Sequence, residues 1–297
     1  MSCSSDPNAR LARALRSLDG LSVGDAFGER FFGNDGRERA LARDLPAGTW
    51  RTTDDTEMAV AIVDVLERAQ RIDADRLARA FAARFGFDSA RGYGAGAYQL
   101  LSGLRMGVPW RIASESLFDG QGSHGNGAAM RVAPLGAYFA DDLDAVVREA
   151  QRSAHVTHAH PDGAAGAIAV AVAAAWVANP ELQRVPMLEL AIARTPAGDT
   201  RHGLFRAQSL PASSSAELAA SVLGSGQEVL SSDTVPFVLW AASRHVGEFE
   251  EAMWNTLSGL GDRDTTCAMV GGILATGTTV PSAWLARREP LRRDPSV

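Results

Sequence analysis

Apolar residues recur at helical spacing along most of the chain, and no long segment alternates apolar with polar residues. Leu11, Ala14, Leu15 and Leu18 fall on one helical face, as do Val60, Val63 and Leu66. The same period predicts helices over about Asp73–Phe85, Ala128–Phe139, Asp142–Ala154, Gly163–Val177, Val235–His245, Phe249–Leu257 and Thr265–Thr276. Strand signals are scarce, and Asn126-Gly127 opens a helical stretch instead of joining two strands. With 297 residues, 46% of them hydrophobic, the chain can bury a substantial core. The expected fold class is therefore all-α, one large helical bundle over residues 1–286. Residues 287–297 are charged and contain Pro290 and Pro295, so this tail is expected to fray. Pro196–Ser215, rich in Pro, Gly, Ser and Thr, is expected to be a surface excursion.

Charge narrows the function. A net charge of −6 and a pI near 5.6 argue against a surface that coats nucleic acid. All 29 basic residues are arginine, which excludes a Walker A lysine and a lysine Schiff base. The two cysteines, Cys3 and Cys267, do not suggest a disulfide framework. No basic start followed by an apolar stretch marks a secretory signal. The longest apolar run, Gly163–Ala178, is shorter than the roughly 20 residues of a membrane span and reads as a core helix. The expectation is a cytoplasmic protein without a membrane partner.

Two acidic clusters stand near opposite ends of the chain, each ahead of an apolar helical stretch. Thr52-Thr53-Asp54-Asp55-Thr56 precedes Met58–Val63, and Gly261-Asp262-Arg263-Asp264-Thr265-Thr266 precedes Cys267–Leu274. One acid at a helix start is an ordinary cap, satisfied by free N–H groups and the helix dipole. Adjacent carboxylates repel unless a cation or solvent compensates. Two carboxylates and a threonine hydroxyl per cluster form a hard oxygen donor set, which suits magnesium, manganese or calcium better than zinc. Each cluster alone fits a cap or a ligand set, and the two together favour a metal.

Gly122-Ser123-His124-Gly125-Asn126-Gly127-Ala128-Ala129-Met130-Arg131 places alternating glycines before a helix. Such a turn lets the backbone approach an anion such as a diphosphate, although tight packing explains it equally well. Gly92-Tyr93-Gly94-Ala95-Gly96 is a similar turn, with a tyrosine able to stack on a ring. His155, His158 and His160 lie in the loop entering the Ala-rich helix. A substrate hydrogen bond from one of them is favoured over a transition-metal site.

Together these elements resemble the ADP-ribosylglycohydrolase family. The resemblance is carried, in family order, by Gly24-Asp25, Thr53-Asp54-Asp55-Thr56, Gly125–Arg131, Thr157-His158 and Asp262-x-Asp264-Thr265. It implies an all-α orthogonal bundle with two magnesium ions (manganese as a substitute) in a cleft. It further implies metal ligation by Thr53, Asp54, Asp55, Asp262, Asp264 and Thr265. Ser123, Gly125, Asn126, Gly127, Met130 and His158 would contact ADP-ribose, with Gly94 and Gly96 as a further contact. Asp55, Asp264 and Glu29 are the candidate catalytic carboxylates. The expected reaction is hydrolysis of the bond between ADP-ribose and an acceptor, on a protein or a small conjugate. A nucleotide hydrolase and an idle ADP-ribose-binding protein are the alternatives. Two positions depart from the family pattern: Phe32 stands where members often have glutamate, and Arg263 where they have a small residue.

Overall fold

The computed structural model describes residues 6–33 and 35–294; Cys3 and Pro295 lie outside them. Among the described residues the chain forms seventeen α-helices and two short 3₁₀ turns, and no strand beyond two isolated bridges. The all-α expectation holds. The N-terminal helix Pro7–Glu29 starts where Asp6 accepts the Ala9 N–H, with Pro7 in the first turn. The helix Asp54–Ala69 follows the first acidic cluster and the helix Arg263–Leu274 starts within the second. The Ala-rich helix Pro161–Ala178 is long and apolar enough to cross a membrane, yet 83% of it is buried by the fold, as expected of a core helix.

Among the described residues, the N-terminal helix and Arg263–Leu274 share the most extensive helix–helix contact. Gly20, Gly24 and Gly28, four residues apart, present one bare stripe to that partner. A Cβ on Gly24 would stand 2.1 Å from the Cys267 carbonyl oxygen, and on Gly20 or Gly28 2.3 Å from the Gly271 or Arg263 oxygen. The backbones therefore meet directly, and the acids at the head of the second helix are drawn to Asp25 on the first. Gly136 repeats the device against the Ala-rich helix, where a Cβ would lie 2.1 Å from the Ala171 oxygen.

Three segments differ from expectation. The stretch Ala128–Phe139 is divided into a 3₁₀ turn, Asn126–Ala128, and a helix, Ala133–Tyr138, because Pro134 has no N–H to continue the first turn but suits a new helix start. Pro196–Ser215 contains the helix Asp199–Ser209, whose Thr200, Gly203, Leu204 and Ala207 are buried. Gly203 lets it reach Pro236, 2.4 Å from where a Cβ would stand, so tertiary packing outweighs polar composition. The tail is anchored as far as Asp294. Trp50 N–H donates to the Arg287 carbonyl and Glu289 N–H to that of Trp50, at 2.7 and 2.9 Å. Glu289 accepts from the Thr52 N–H and hydroxyl, and Arg293 pairs with buried Asp64. These bonds fix the loop that leads into Thr53.

Because the glycine stripe leaves no room for a methyl, Gly24→Ala should cost at least about 2 kcal/mol, overpacking outweighing a propensity gain of about 1 kcal/mol. Gly103→Ala is the matched control, since its Cβ would meet only Val108 at 3.7 Å. Thermal unfolding should show Gly24→Ala melting several degrees lower and Gly103→Ala no lower than wild type. Equal melting points would dismiss the stripe as a constraint.

Candidate active site

A cavity of about 500 Å³ opens where the two acidic clusters meet. Its wall includes Asp54, Asp55, Asp262, Asp264 and Thr265 on one side and Gly94, Gly96, Ser123, Gly125, Asn126, Gly127, Met130 and His158 on the other. Two further clefts, of about 480 and 700 Å³, contain none of these residues. Chain ends some two hundred residues apart in sequence are joined directly: the Thr265 hydroxyl lies 3.4 Å from Asp55 Oδ2.

Asp25 organises the first cluster from beneath. It is fully buried on the N-terminal helix and accepts from the Thr53 N–H and hydroxyl, both at 2.9 Å, and from the Thr56 N–H and hydroxyl. It thus caps the Asp54–Ala69 helix from another element. Thr53 Oγ1 accepts the Asp55 N–H at 3.3 Å and lies 3.2 Å from Asp55 Oδ2, so Thr53 orients Asp55. In the second cluster, Asn126 Nδ2 donates to Asp262 Oδ2 at 2.8 Å and to the Thr234 hydroxyl at 3.1 Å. That bond ties the Gly-rich turn to the acids.

The concentration of charge is electrostatically costly. Burial, against four hydrogen bonds that oppose it, raises Asp25 to about 6. Burial and then repulsion from Asp25 raise Asp54 to about 7. Asp55 is pushed well up by burial, then by Asp25 and Asp264, and Asp264 by burial, then by Asp262 and Asp25. Asp55 Oδ1 and Asp264 Oδ1 are buried without a hydrogen-bond partner. Among the described residues no three His, Cys, Asp or Glu side chains are gathered tightly enough to hold a metal ion as they stand. The donor set nevertheless fits a hard cation: oxygen ligands, two orphaned oxygens and uncompensated repulsion. A cation would draw the carboxylates inward.

The facing wall suits an anion. The helix Ala95–Arg105 begins without a side-chain cap at Gly94, leaving the N–H groups of its first turn free at the cavity. At the 3₁₀ turn Asn126–Ala128, by contrast, the Gly125 and Asn126 N–H groups already donate to Ser123 Oγ and the Val229 carbonyl. Phe118 and Asp119 adopt left-handed φ values of 52° and 56°, unusual for non-glycine residues, and the Phe118 ring lies against Gly96. Arg131 is fully buried over the Phe81 ring at 4.5 Å, with its pKa lowered to about 9 by burial. His158 is lowered to about 3 by burial, then by Arg131, and is neutral.

Several expected roles are revised. Glu29 does not line the cavity; it sits one helical turn beyond Asp25, at the last residue of the helix, exposed and near Arg51. Thr53 stands behind the wall, and Tyr93 packs edge-on to Phe85 instead of presenting its ring to a ligand. His160 caps the Ala-rich helix through its Nδ1. Arg263 folds away from its flanking acids: Nη1 donates to the Phe31 carbonyl and the guanidinium lies 5.3 Å from the Phe32 ring centre. The two departures from the family pattern therefore touch each other. Sequence reasoning missed Asp25 as a site residue, although a lone acid inside an apolar helical stretch was a visible signal, and it missed Arg131 for the same reason.

A family profile for ADP-ribosylglycohydrolase matches residues 6–294. The chain belongs to the ADP-ribosylglycohydrolase family. This is a family of hydrolases that act on glycosidic bonds to ADP-ribose. An uncharacterized protein of Archaeoglobus fulgidus is 33% identical over 245 residues, 82% of this chain and 76% of that protein. ADP-ribosylhydrolase ARH3 of Gallus gallus is 32% identical over 197 residues, 60% of this chain and 53% of its own length. ADP-ribosylarginine hydrolase Tri1 of Pseudomonas putida is 31% identical over 173 residues, 52% of this chain and 44% of its own length. The chain thus spans about half the length of these two hydrolases. A solved structure, an ADP-ribosylglycohydrolase-related protein complex, has the same fold, with a TM-score of 0.59 at 24% identity over 94% of this chain and 93% of its own.

The raised carboxylate values carry a signed prediction. A group that holds its proton more tightly when folded stabilises the fold below its unfolded pKa, and that stability is lost as pH rises through the folded value. For Asp25 and Asp54 the loss falls between the ordinary 3.8 and about 6 and 7. In chelator, the melting temperature should fall as pH rises from about 5.5 to about 8, and saturating magnesium should flatten or reverse that slope. A chelated protein that gains stability over this interval would contradict the electrostatic picture.

Proposed function

We propose that this protein hydrolyses the glycosidic bond between ADP-ribose and an acceptor, an ADP-ribosylated protein or a small ADP-ribose conjugate, with magnesium or manganese at the acidic clusters. The observation that carries this reading is the meeting of four carboxylates, Asp54 and Asp55 buried and Asp262 and Asp264 partly so, two of them with orphaned oxygens, opposite the uncapped helix start at Gly94 in one cavity. Asp54, Asp55, Asp262, Asp264 and Thr265 would hold the cations, and Thr53 would orient Asp55. When bound, two divalent cations supply positive charge that polarises sugar hydroxyls and acidifies water.

The free N–H groups after Gly94 receive the diphosphate, and the Gly-rich turn with Ser123 and Asn126 borders it from the other side. The cavity aligns the ribose C1 with the carboxylates. As the bond from C1 to the acceptor breaks, positive charge develops on the sugar and the surrounding carboxylates stabilise it. Asp55 or Asp264 takes the proton from the attacking water, each having an oxygen free of protein partners. The new C1–O bond gives free ADP-ribose, and the acceptor leaves with a proton.

Asp264→Asn separates this chemistry from folding. Removing one of several mutually repelling buried charges should raise the melting temperature in chelator. The same change should lower kcat on ADP-ribosyl-arginine or ADP-ribosyl-serine, whichever wild type turns over, by about 10²–10⁴-fold. A variant with unchanged kcat would reject the catalytic assignment, and turnover by wild type in full chelation would reject the cation.

A further inference from the structure

His158 faces the cavity, and its other ring nitrogen runs into a buried chain of hydrogen bonds that the proposed reaction does not use. Arg131 Nη2 donates to the Thr157 hydroxyl oxygen at 2.8 Å and to the Ser153 carbonyl at 3.0 Å. The Thr157 hydroxyl lies 2.7 Å from His158 Nδ1. All three residues are buried, with Arg131 at 0% exposure. A guanidinium has donors only, so the direction of the first bond is fixed. The hydroxyl oxygen accepts that proton, and among the described residues its own O–H has no acceptor within hydrogen-bond distance other than Nδ1, so it donates there. An Nδ1 that accepts is unprotonated, so a neutral imidazole must carry its proton on Nε2.

Nε2, with the adjacent Cε1, is the edge of the ring that faces the Gly-rich turn. A Cβ on Gly127 would stand 3.3 Å from Nε2 and one on Gly125 3.6 Å. The alternating glycines therefore leave the space in front of Nε2 open, and that space belongs to the cavity. We propose that Arg131 and Thr157 are positioning residues that hold His158 as the Nε2–H tautomer, presenting a neutral N–H donor to a phosphate oxygen of the ligand. Arg131 thereby serves ADP-ribose through its neighbours: its charge is used to orient one hydroxyl, and the hydroxyl orients one ring. The proposal rests on the reading of this cavity as an ADP-ribose site, and the tautomer itself can be read without any ligand or cation.

The test pairs Thr157→Val, which keeps the shape and removes the O–H, with Thr157→Ser, which keeps the O–H. Nitrogen-15 NMR of histidine-labelled full-length protein reports which ring nitrogen bears the proton, and His158→Gln assigns the signal among the six histidines. Wild type and Thr157→Ser should show Nε2–H. Thr157→Val should show Nδ1–H or a mixture, and should bind ADP-ribose about tenfold more weakly, with Thr157→Ser within about twofold of wild type. An Nδ1–H wild type, or an Nε2–H tautomer unchanged in Thr157→Val, overturns the relay. A shifted tautomer with unchanged ADP-ribose affinity overturns the donor role of His158. The expected tautomers in a wild type that does not bind ADP-ribose would support the relay and overturn the reading of the site.

Discussion

The close approach of two helices along Gly20, Gly24 and Gly28 is the constraint from which the site follows. Each missing side chain leaves space that the partner's backbone occupies, within 2.1–2.3 Å of where a Cβ would be. This distance is what allows Asp25, on the first helix, and Asp264, at the head of the other, to act on each other electrostatically. Asp25 in turn caps the helix that carries Asp54 and Asp55. Three helix ends are thereby brought to one point by backbone packing, and the acids meet as a consequence.

That arrangement runs against folding. Burying several carboxylates together costs free energy, and hydrogen bonds to Asp25 offset only part of it. A natural chain retains such a cluster where function uses it. The surrounding fold supplies the compensation: a stacked and edge-on group of Phe27, Phe31, Trp50, Trp254 and Trp284 lies at the end of the N-terminal helix, and the C-terminal segment pairs with Trp50 and Thr52. The loop into Thr53 is held from both sides. Ligand positions are therefore set by apolar packing and by a chain terminus.

The acid clusters and their helix starts were legible because capping and periodicity are local signals. Asp54 and Asp262 each stand at a helix start as expected, and the helix predicted over Thr265–Thr276 runs Arg263–Leu274, two residues earlier at each end. What escaped depends on partners distant in sequence. The glycine stripe has no meaning until Cys267 and Gly271 are opposite it, and Arg131 looks like an intruder in an apolar run until Phe81, Ser153 and Thr157 surround it. The tail and the helix Asp199–Ser209 were misread for a related reason, since charge and Pro content describe local preference and their anchors lie on other elements. Glu29 was a reasonable candidate by proximity in sequence, but as the last residue of the N-terminal helix it lies outside the cavity wall.

The central claim is that the paired clusters form one hard-cation site, whose ligands repel one another until an ion is bound. Titrating manganese into the protein and following the free-ion signal by electron paramagnetic resonance tests it directly. The account predicts two ions withdrawn per chain, competed by magnesium, with binding abolished in the double variant Asp55→Asn, Asp264→Asn. Free manganese undiminished by wild type, or withdrawn equally by the double variant, would contradict it.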